Sequence, residues 1–398
     1  MVAGLQIGWH TQLDTIGAAN WDALLDGVVG ARPFLTHAWL KALTDHGCAT
    51  PETGWQPLFL TLTDAQGRLR AGCPLYVKSH SYGEYVFDWA WADAHDRALA
   101  AQGQRYFPKL LGAVPFSPIP SQRLLTASDA SAGEREALCA LLLAAVRQRC
   151  ELEGWSSAHL LFLTEAEAAQ AGSAGWLVRH GVQFHWCNRE PAPYADFDDF
   201  LASLHRDKRK KIQQERRKVR EAGIEFKVLH GTEIGEGDWD FFYRCYERTY
   251  LAHGQRPYLS RAFWLTAGSQ SPANWTLFVA HAGGEPVACS LVAVDGPGGA
   301  AYGRYWGSMV SVSCLHFEAC YYQPLSWCIE QGLRRFEGGA QGEHKLARGL
   351  LPVTTQSVHW LAHPGLREAV ADFLGREDAG LAHYVDELDE RKPFKPRD

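Results

Sequence analysis

Glu343, His344, Lys345 and Arg348 stand close together in the stretch FEGGAQGEHKLARGLLP, residues 336–352. An acid, an imidazole and two cations at this spacing can divide two tasks. Glu337, Glu343 and His344 can take a proton from an amine nucleophile, while Lys345, Arg348 and backbone N–H groups hold charge developing on an oxygen. Those are the two requirements of acyl transfer to an amine. Gly338, Gly339 and Gly342 let backbone approach a bound group closely. Residues 334–337 read as a short strand, which puts the cluster at a strand's carboxyl end, where α/β proteins place their sites. The plainer reading is a solvated turn held by ion pairs; the density of glycine and charge favours a site.

Three further stretches bear on it. In YGRYWGS (302–308) and LHFEACYYQ (315–323), Tyr305, Trp306, His316, Glu318 and Tyr322 are candidates to line a substrate cleft. The helix start that follows Ser308, Ser311 and Ser313 would offer N–H groups and a positive dipole end to an anion. Residues 206–220 carry nine Lys/Arg against Asp207 and Glu215, a net +7 in a chain of net charge −6, so the remainder is near −13. Leu201, Leu204, Ile212 and Val219 form one apolar stripe and leave Lys208, Arg209, Lys211 and Arg216 to meet phosphates. The proline-rigid stretch YFPKLLGAVPFSPIP (106–120), with Lys109 and Arg123, reads equally as a cleft wall or as a structural loop.

The elements that position these residues follow from periodicity. Residues 55–63 and 69–78 alternate around a turn and predict a hairpin, as do 275–282 and 286–295 around Gly283-Gly284. Residues 82–91 read as an aromatic strand, 134–153 as a helix and 158–163 as a buried strand; 197–222 read as one long helix and 239–253 and 317–332 as two more. The order helix, hairpin, third strand, helix, strand thus occurs twice. A weak echo accompanies it: Trp55-Gln-Pro-Leu-Phe59 with Ala71-Gly-Cys-Pro-Leu75, and Trp275-Thr-Leu-Phe278 with Val287-Ala-Cys-Ser-Leu291. At 398 residues two domains are expected, and the break falls near the prolines at 191 and 193, giving domains 1–190 and 191–398.

Composition narrows the class. A hydrophobic fraction of 46% with 21% charged residues is that of a globular chain, and the negative net charge argues against a dedicated nucleic-acid binder. No apolar run is long enough to span a bilayer, and residues 1–14 lack the pattern of a secretory signal. Ten cysteines without a CxxC pair predict a reducing cytoplasm, packing thiols, no disulfide and no metal site.

The 336–352 motif, LHFEACYYQ, KRKKIQQERRKV (208–219), QFHW (183–186) and YFPKLLGAVPFSP (106–118) together resemble the FemAB-like N-acyltransferases, relatives of the Fem peptidoglycan aminoacyltransferases. The resemblance spans roughly residues 30–360. Phe336, Gly338, Gly339 and Lys345 match a Phe/Tyr-x-Gly-Gly strand end and a following lysine of that wider family. It implies an α/β fold of two tandem GNAT-like domains with mixed central sheets flanked by helices. It also implies transfer of an acyl or aminoacyl group from aminoacyl-tRNA or acyl-CoA, a co-substrate and not a tightly bound cofactor, to a small-molecule or peptide amine. The acetyl-CoA signature Arg/Gln-x-x-Gly-x-Gly/Ala is absent, with SMVSVS (308–313) in its place, and the helical hairpin that some Fem enzymes use on tRNA is missing. A non-catalytic GNAT shell binding peptidoglycan fragments or RNA is the rival expectation, and an ordinary acetyl-CoA enzyme a third.

Overall fold

The computed structural model describes residues 4–28, 30–297, 299–339 and 342–396. Its strands are β1 (Gln6–His10), β2 (Trp55–Thr63), β3 (Leu69–Lys78), β4 (Lys109–Gly112), β5 (Leu125–Thr126), β6 (Ser157–Leu163), β7 (Leu177–Cys187), β8 (Ile224–His230), β9 (Trp275–Ala282), β10 (Glu285–Asp295), β11 (Ala300–Ser308), β12 (Arg335–Glu337) and β13 (Leu351–Leu361). The chain forms two compact units, Met1–Gly181 with Thr354–His383, and Val182–Val353 with Tyr384–Asp398. A single cut at 190 therefore does not describe it, because residues 354–383 return to the first unit.

Within the first unit the strands run β1-β2-β3-β4-β6-β13, and within the second β8-β9-β10-β11-β12-β7. Both follow one scheme: three successive antiparallel pairs, one parallel pair and a closing antiparallel strand. This is the α/β arrangement of two mixed central sheets flanked by helices that the resemblance implies. The echoed peptides occupy corresponding hairpins: Phe59 pairs with Pro74, and Phe278 with Ser290.

The closing strands are exchanged along the sequence. β13, from the end of the chain, supplies Gln356–Leu361 to β6. β7, from the end of the first half, supplies His185, Trp186 and Cys187 to β12.

The first unit packs Leu60, Leu75, Leu142, Val146, Leu160 and Trp360 between its sheet and the helix Ala132–Glu153. That helix starts at the Ser131 N-cap, whose hydroxyl accepts from Glu134 N, and ends at Gly154 with φ 66°, a left-handed cap that favours glycine. The second unit packs Trp186, Phe200, Ile212, Phe278, Tyr322, Leu325 and Phe336.

Three expected elements differ. Residues 82–88 are irregular, and the aromatics read as a strand there lead into the helix Trp89–Leu99. The long helix breaks into Phe197–Ser203 and Arg206–Glu221, because Leu204 turns extended (ψ 153°) and bridges Phe394. The helix after β11 begins at Leu315 and contains a π-helical turn, Glu318–Tyr322. No helix among the described residues is long and apolar enough to cross a membrane.

The exchanged strands make a specific prediction. Fragments 1–190 and 191–398 each lack the strand that closes one sheet, leaving unpaired backbone and exposed apolar side chains. Expressed separately, neither is expected to show a cooperative thermal transition by circular dichroism; two independently melting fragments would refute the exchange as a folding requirement.

Candidate functional site

The opening in the second unit starts from a strand irregularity. β10 and β11 pair with a register shift: Leu291 faces Tyr305, but Val292 faces Gly303, so Arg304 is an extra residue on β11. Such a bulge bends its strand and leaves a residue outside the ladder. On the other edge β11 runs parallel to β12 only from Ala300/Arg335 to Tyr302/Glu337. Beyond that point β12 has ended and β11 continues to Ser308.

A cavity of about 130 Å³ lies there, lined by Ser290–Val292 of β10, Gly303–Trp306 of β11, Gly338 and Gly339 after β12, and His316, Cys320 and Tyr321 from the helix that follows β11. The π-helical turn sets the last two. One extra residue in the turn shifts the helix register, and it carries Cys320 and Tyr321.

Glycine is required after β12. Gly339 has φ 84°, and a Cβ on Gly338 would come within 2.6 Å of Leu350 Cδ2. This close packing brings in Lys345, whose Nζ donates to Gly339 O at 2.8 Å. Burial lowers its pKa to about 8, opposed by the Cys320 thiol.

His344, next in the same turn, meets Tyr321: the phenol oxygen and His344 Nε2 are 3.0 Å apart. His316 packs edge-on to Trp306 and Tyr321. Burial, with the cations of Arg348 and Lys345 nearby, lowers the pKa of both imidazoles, that of His316 to about 4. Both rings are therefore neutral near pH 7.

Arg348 has a different task. Its Nη2 donates to both carboxylate oxygens of Glu215 at 2.9 Å, Nη1 donates to His344 O at 2.6 Å, and the guanidinium lies 3.5 Å over the Phe317 ring. Tyr322 donates to the same carboxylate. Arg348 and Tyr322 are thus positioning residues that fix the basic helix against the turn Glu343–Arg348.

The remaining candidates are dispersed. Glu343 is exposed and faces Arg391 at 3.5 Å, away from the cavity lining. Glu337 is buried in β12 beside Arg335 (3.1 Å) and His185 (3.8 Å), and burial raises its pKa to about 7. Glu318 receives Arg216 at 3.2 Å and Gln323 at 2.7 Å, and lines a separate hollow of about 480 Å³ with Arg216 and Arg220.

Lys208 pairs with Asp207, Arg209 is half-buried and Lys211 is exposed. The Ser308 hydroxyl closes a turn on Val310 O (2.7 Å), Ser313 meets the Cys314 sulfur (3.5 Å), and Ser311 is exposed. Lys109 and Arg123 are corrections: both belong to the core of the first unit. Lys109 is ion-paired with Glu84 (2.8 Å) and Asp88, and Arg123 donates to the carbonyls of Ile119, Ser121 and Gln122. Ala340 and Gln341 of the motif lie outside the described residues.

Ser290, Arg304, Cys320 and Tyr321 line the cavity without having been singled out from sequence. For the last three the available signal was the composition of YGRYWG and ACYY; the register shift and the π turn that select them leave no mark in it, and Ser290 is one residue of an ordinary apolar strand. All ten cysteines are free thiols.

Replacing Arg348 by Ala strands the Glu215 carboxylate in the core, at a cost of about 3–5 kcal/mol. Urea denaturation is expected to show that loss, with Arg348→Lys recovering part of it because the charge returns without the two-pronged geometry. A loss below about 1 kcal/mol, the range of exposed pairs, would mean the pair is not structural.

Comparison with known proteins agrees with the architecture. The C-terminal DUF2156 domain of a putative lysylphosphatidylglycerol synthetase from Agrobacterium fabrum superposes with TM-score 0.51 at 9% identity, over 89% of this chain and 95% of that one. The L-PGS of Bacillus licheniformis gives 0.52 at 10% identity, over 90% and 96%. A conserved protein of unknown function from Bacteroides thetaiotaomicron gives 0.51 at 11%, over 89% and 100%. At these identities the likeness is one of fold. No curated protein matches the sequence. The FemAB-like family model, described as peptidoglycan biosynthesis/recognition, matches residues 12–396, and the chain belongs to that family.

Proposed function

We propose that the protein is an N-acyltransferase that carries an activated acyl group to an amine acceptor in peptidoglycan-related biosynthesis. The observation that carries this reading is the cavity at the separation of β11 and β12, with a buried lysine on one side and a neutral Tyr–His pair on the other. The acceptor nitrogen attacks the donor's acyl carbon; the new C–N bond forms as the C–S bond of a thioester, or the C–O bond of an ester, breaks. Lys345, as an ammonium, steadies negative charge on the acyl oxygen. The amine proton passes to the Tyr321 hydroxyl as that hydroxyl hands its own proton to His344 Nε2. His344, whose ring is partly buried on a residue that reaches solvent, releases the proton to water. The leaving thiolate or alkoxide takes up a proton from solvent. Donor phosphates lie along the basic helix, at Lys208, Arg209 and Lys211, where the chain's positive charge is concentrated.

Purified protein incubated with radiolabelled acyl-CoA and with charged tRNA pools, in the presence of cell-wall precursor peptides and other amines, is expected to move label into an amide. No transfer from either donor class would remove the proposal.

With a donor in hand, the rate is expected to fall as pH rises through about 8, where Lys345 loses its charge. Lys345→Met should lower kcat by roughly 100-fold or more, the size of a lost charge-stabilising donor. Lys345→Arg should move the alkaline limb upward, since the guanidinium keeps its proton. An unmoved limb in Lys345→Arg would assign the titration elsewhere.

A further inference from the structure

The same cavity carries information about the group it takes. It measures about 130 Å³, and an apolar cavity of about 150 Å³ in a protein core accepts a benzene-sized guest. Room therefore exists for about six heavy atoms by that comparison.

The walls are held on several sides. Ser290 donates to Ala319 O, which ties β10 to the π-helical turn. Tyr321 is fixed by His344, and Trp306 by His316. Tyr305 is packed between Tyr246 and Trp264, ring centroids 4.7 and 5.4 Å away. Enlarging the space for a long chain would disturb four packed aromatic rings, which close-packed interiors resist.

The charge is equally one-sided. Among the described residues, the lining contains Arg304 and no carboxylate. Lys345 Nζ adds a second cation, bonded to the lining glycine Gly339. The carboxylate next in sequence, Glu337, is buried and feels the charges of both Arg335, at 3.1 Å, and Arg304, one carboxylate against the three cations Arg304, Arg335 and Lys345. A cationic guest would meet like charge there, and the repulsion grows as the guest displaces water from between the charges.

We infer that the transferred group is a short acyl chain of no more than about six heavy atoms that carries no positive charge, which selects simple or acidic acyl thioesters over fatty acyl donors and over aminoacyl donors with a charged amine. Trp306, Cys320 and Tyr321 set the length limit; Arg304 and Lys345 set the charge preference. The inference rests on the acyltransferase reading and narrows its donor.

Four thioesters sharing one carrier separate the possibilities: acetyl-, butyryl-, octanoyl- and β-alanyl-CoA, each supplied with the amine acceptor that the labelling experiment identifies. β-Alanyl and butyryl are nearly the same size and differ in one ammonium. Acetyl and butyryl groups are expected to transfer, with octanoyl and β-alanyl at least about tenfold lower in kcat/KM. Tyr321→Ala, which opens the floor, should raise octanoyl relative to butyryl transfer by about tenfold. Cys320→Ala, a smaller excision in the same turn, should shift the ratio in the same direction and covers the case that Tyr321→Ala does not fold. Octanoyl or β-alanyl transferred as well as butyryl would overturn the length or the charge limit while leaving the acyltransferase reading intact. Alanyl- and lysyl-tRNA transferred in place of all four thioesters would overturn the inference in the same way. Absence of transfer from any thioester or charged tRNA would instead remove the reading on which it rests.

Discussion

The buried pair of Arg348 and Glu215 is the constraint on which the second unit's site depends. Two ions taken out of water cost several kcal/mol each, and their attraction offsets this only with full hydrogen bonding. Here the carboxylate accepts from Arg348 and Tyr322, and the guanidinium also serves His344 O and rests on Phe317. Three chain segments therefore meet at one ion pair: the basic helix, the helix after β11, which carries both Tyr322 and Phe317, and the glycine-rich turn. Lys345 and Arg348 are three residues apart in a 3-10 turn, which places them on one face. Fixing Arg348 against Glu215 thereby sets where Lys345 meets Gly339.

This division of labour explains why a charge cluster is a poor guide to which charges act. The stretch at 336–352 was legible as a dense alternation of glycines and ions, and the structure sets part of it beside the cavity. Its internal roles were not legible. Glu343 and Lys345 are two positions apart, yet one is exposed beside Arg391 and the other is buried at the cavity. Lys109 and Arg123 show the same difficulty in the first unit, where polar side chains in a proline-rich stretch proved to be tied into the core.

The fold was legible to the extent that it is local. Both hairpins, the Ala132–Glu153 helix and β6 follow from alternation and period. The aromatic stretch 82–91 misled because Tyr, Phe and Trp are strand formers by propensity, whereas Trp89, Trp91 and His95 here serve a helix that buries Trp91 and His95. The exchange of β7 and β13 is a long-range property: nothing in LVRHGVQFHWC or LPVTTQSVHWL states which sheet it closes.

Duplication of the scheme makes the difference between the two units informative. In the second, the β10/β11 register shifts beside Leu291 and glycine follows β12. In the first, the corresponding pair β3/β4 runs without a shift from Leu75/Gly112 to Lys78/Lys109. Past the parallel pair, β4 is followed by buried Ala113, Val114 and Phe116, and β6 continues through buried Leu161, Phe162 and Leu163. Gly112 is already so close to β6 that a Cβ there would stand 2.3 Å from Leu160 Cδ2. A sheet of this topology needs an extra residue and small side chains to open between its parallel strands; without them the same space fills with Leu and Phe. Among the described residues the second unit meets those conditions, and there the neutral histidines, the buried lysine and the cavity coincide.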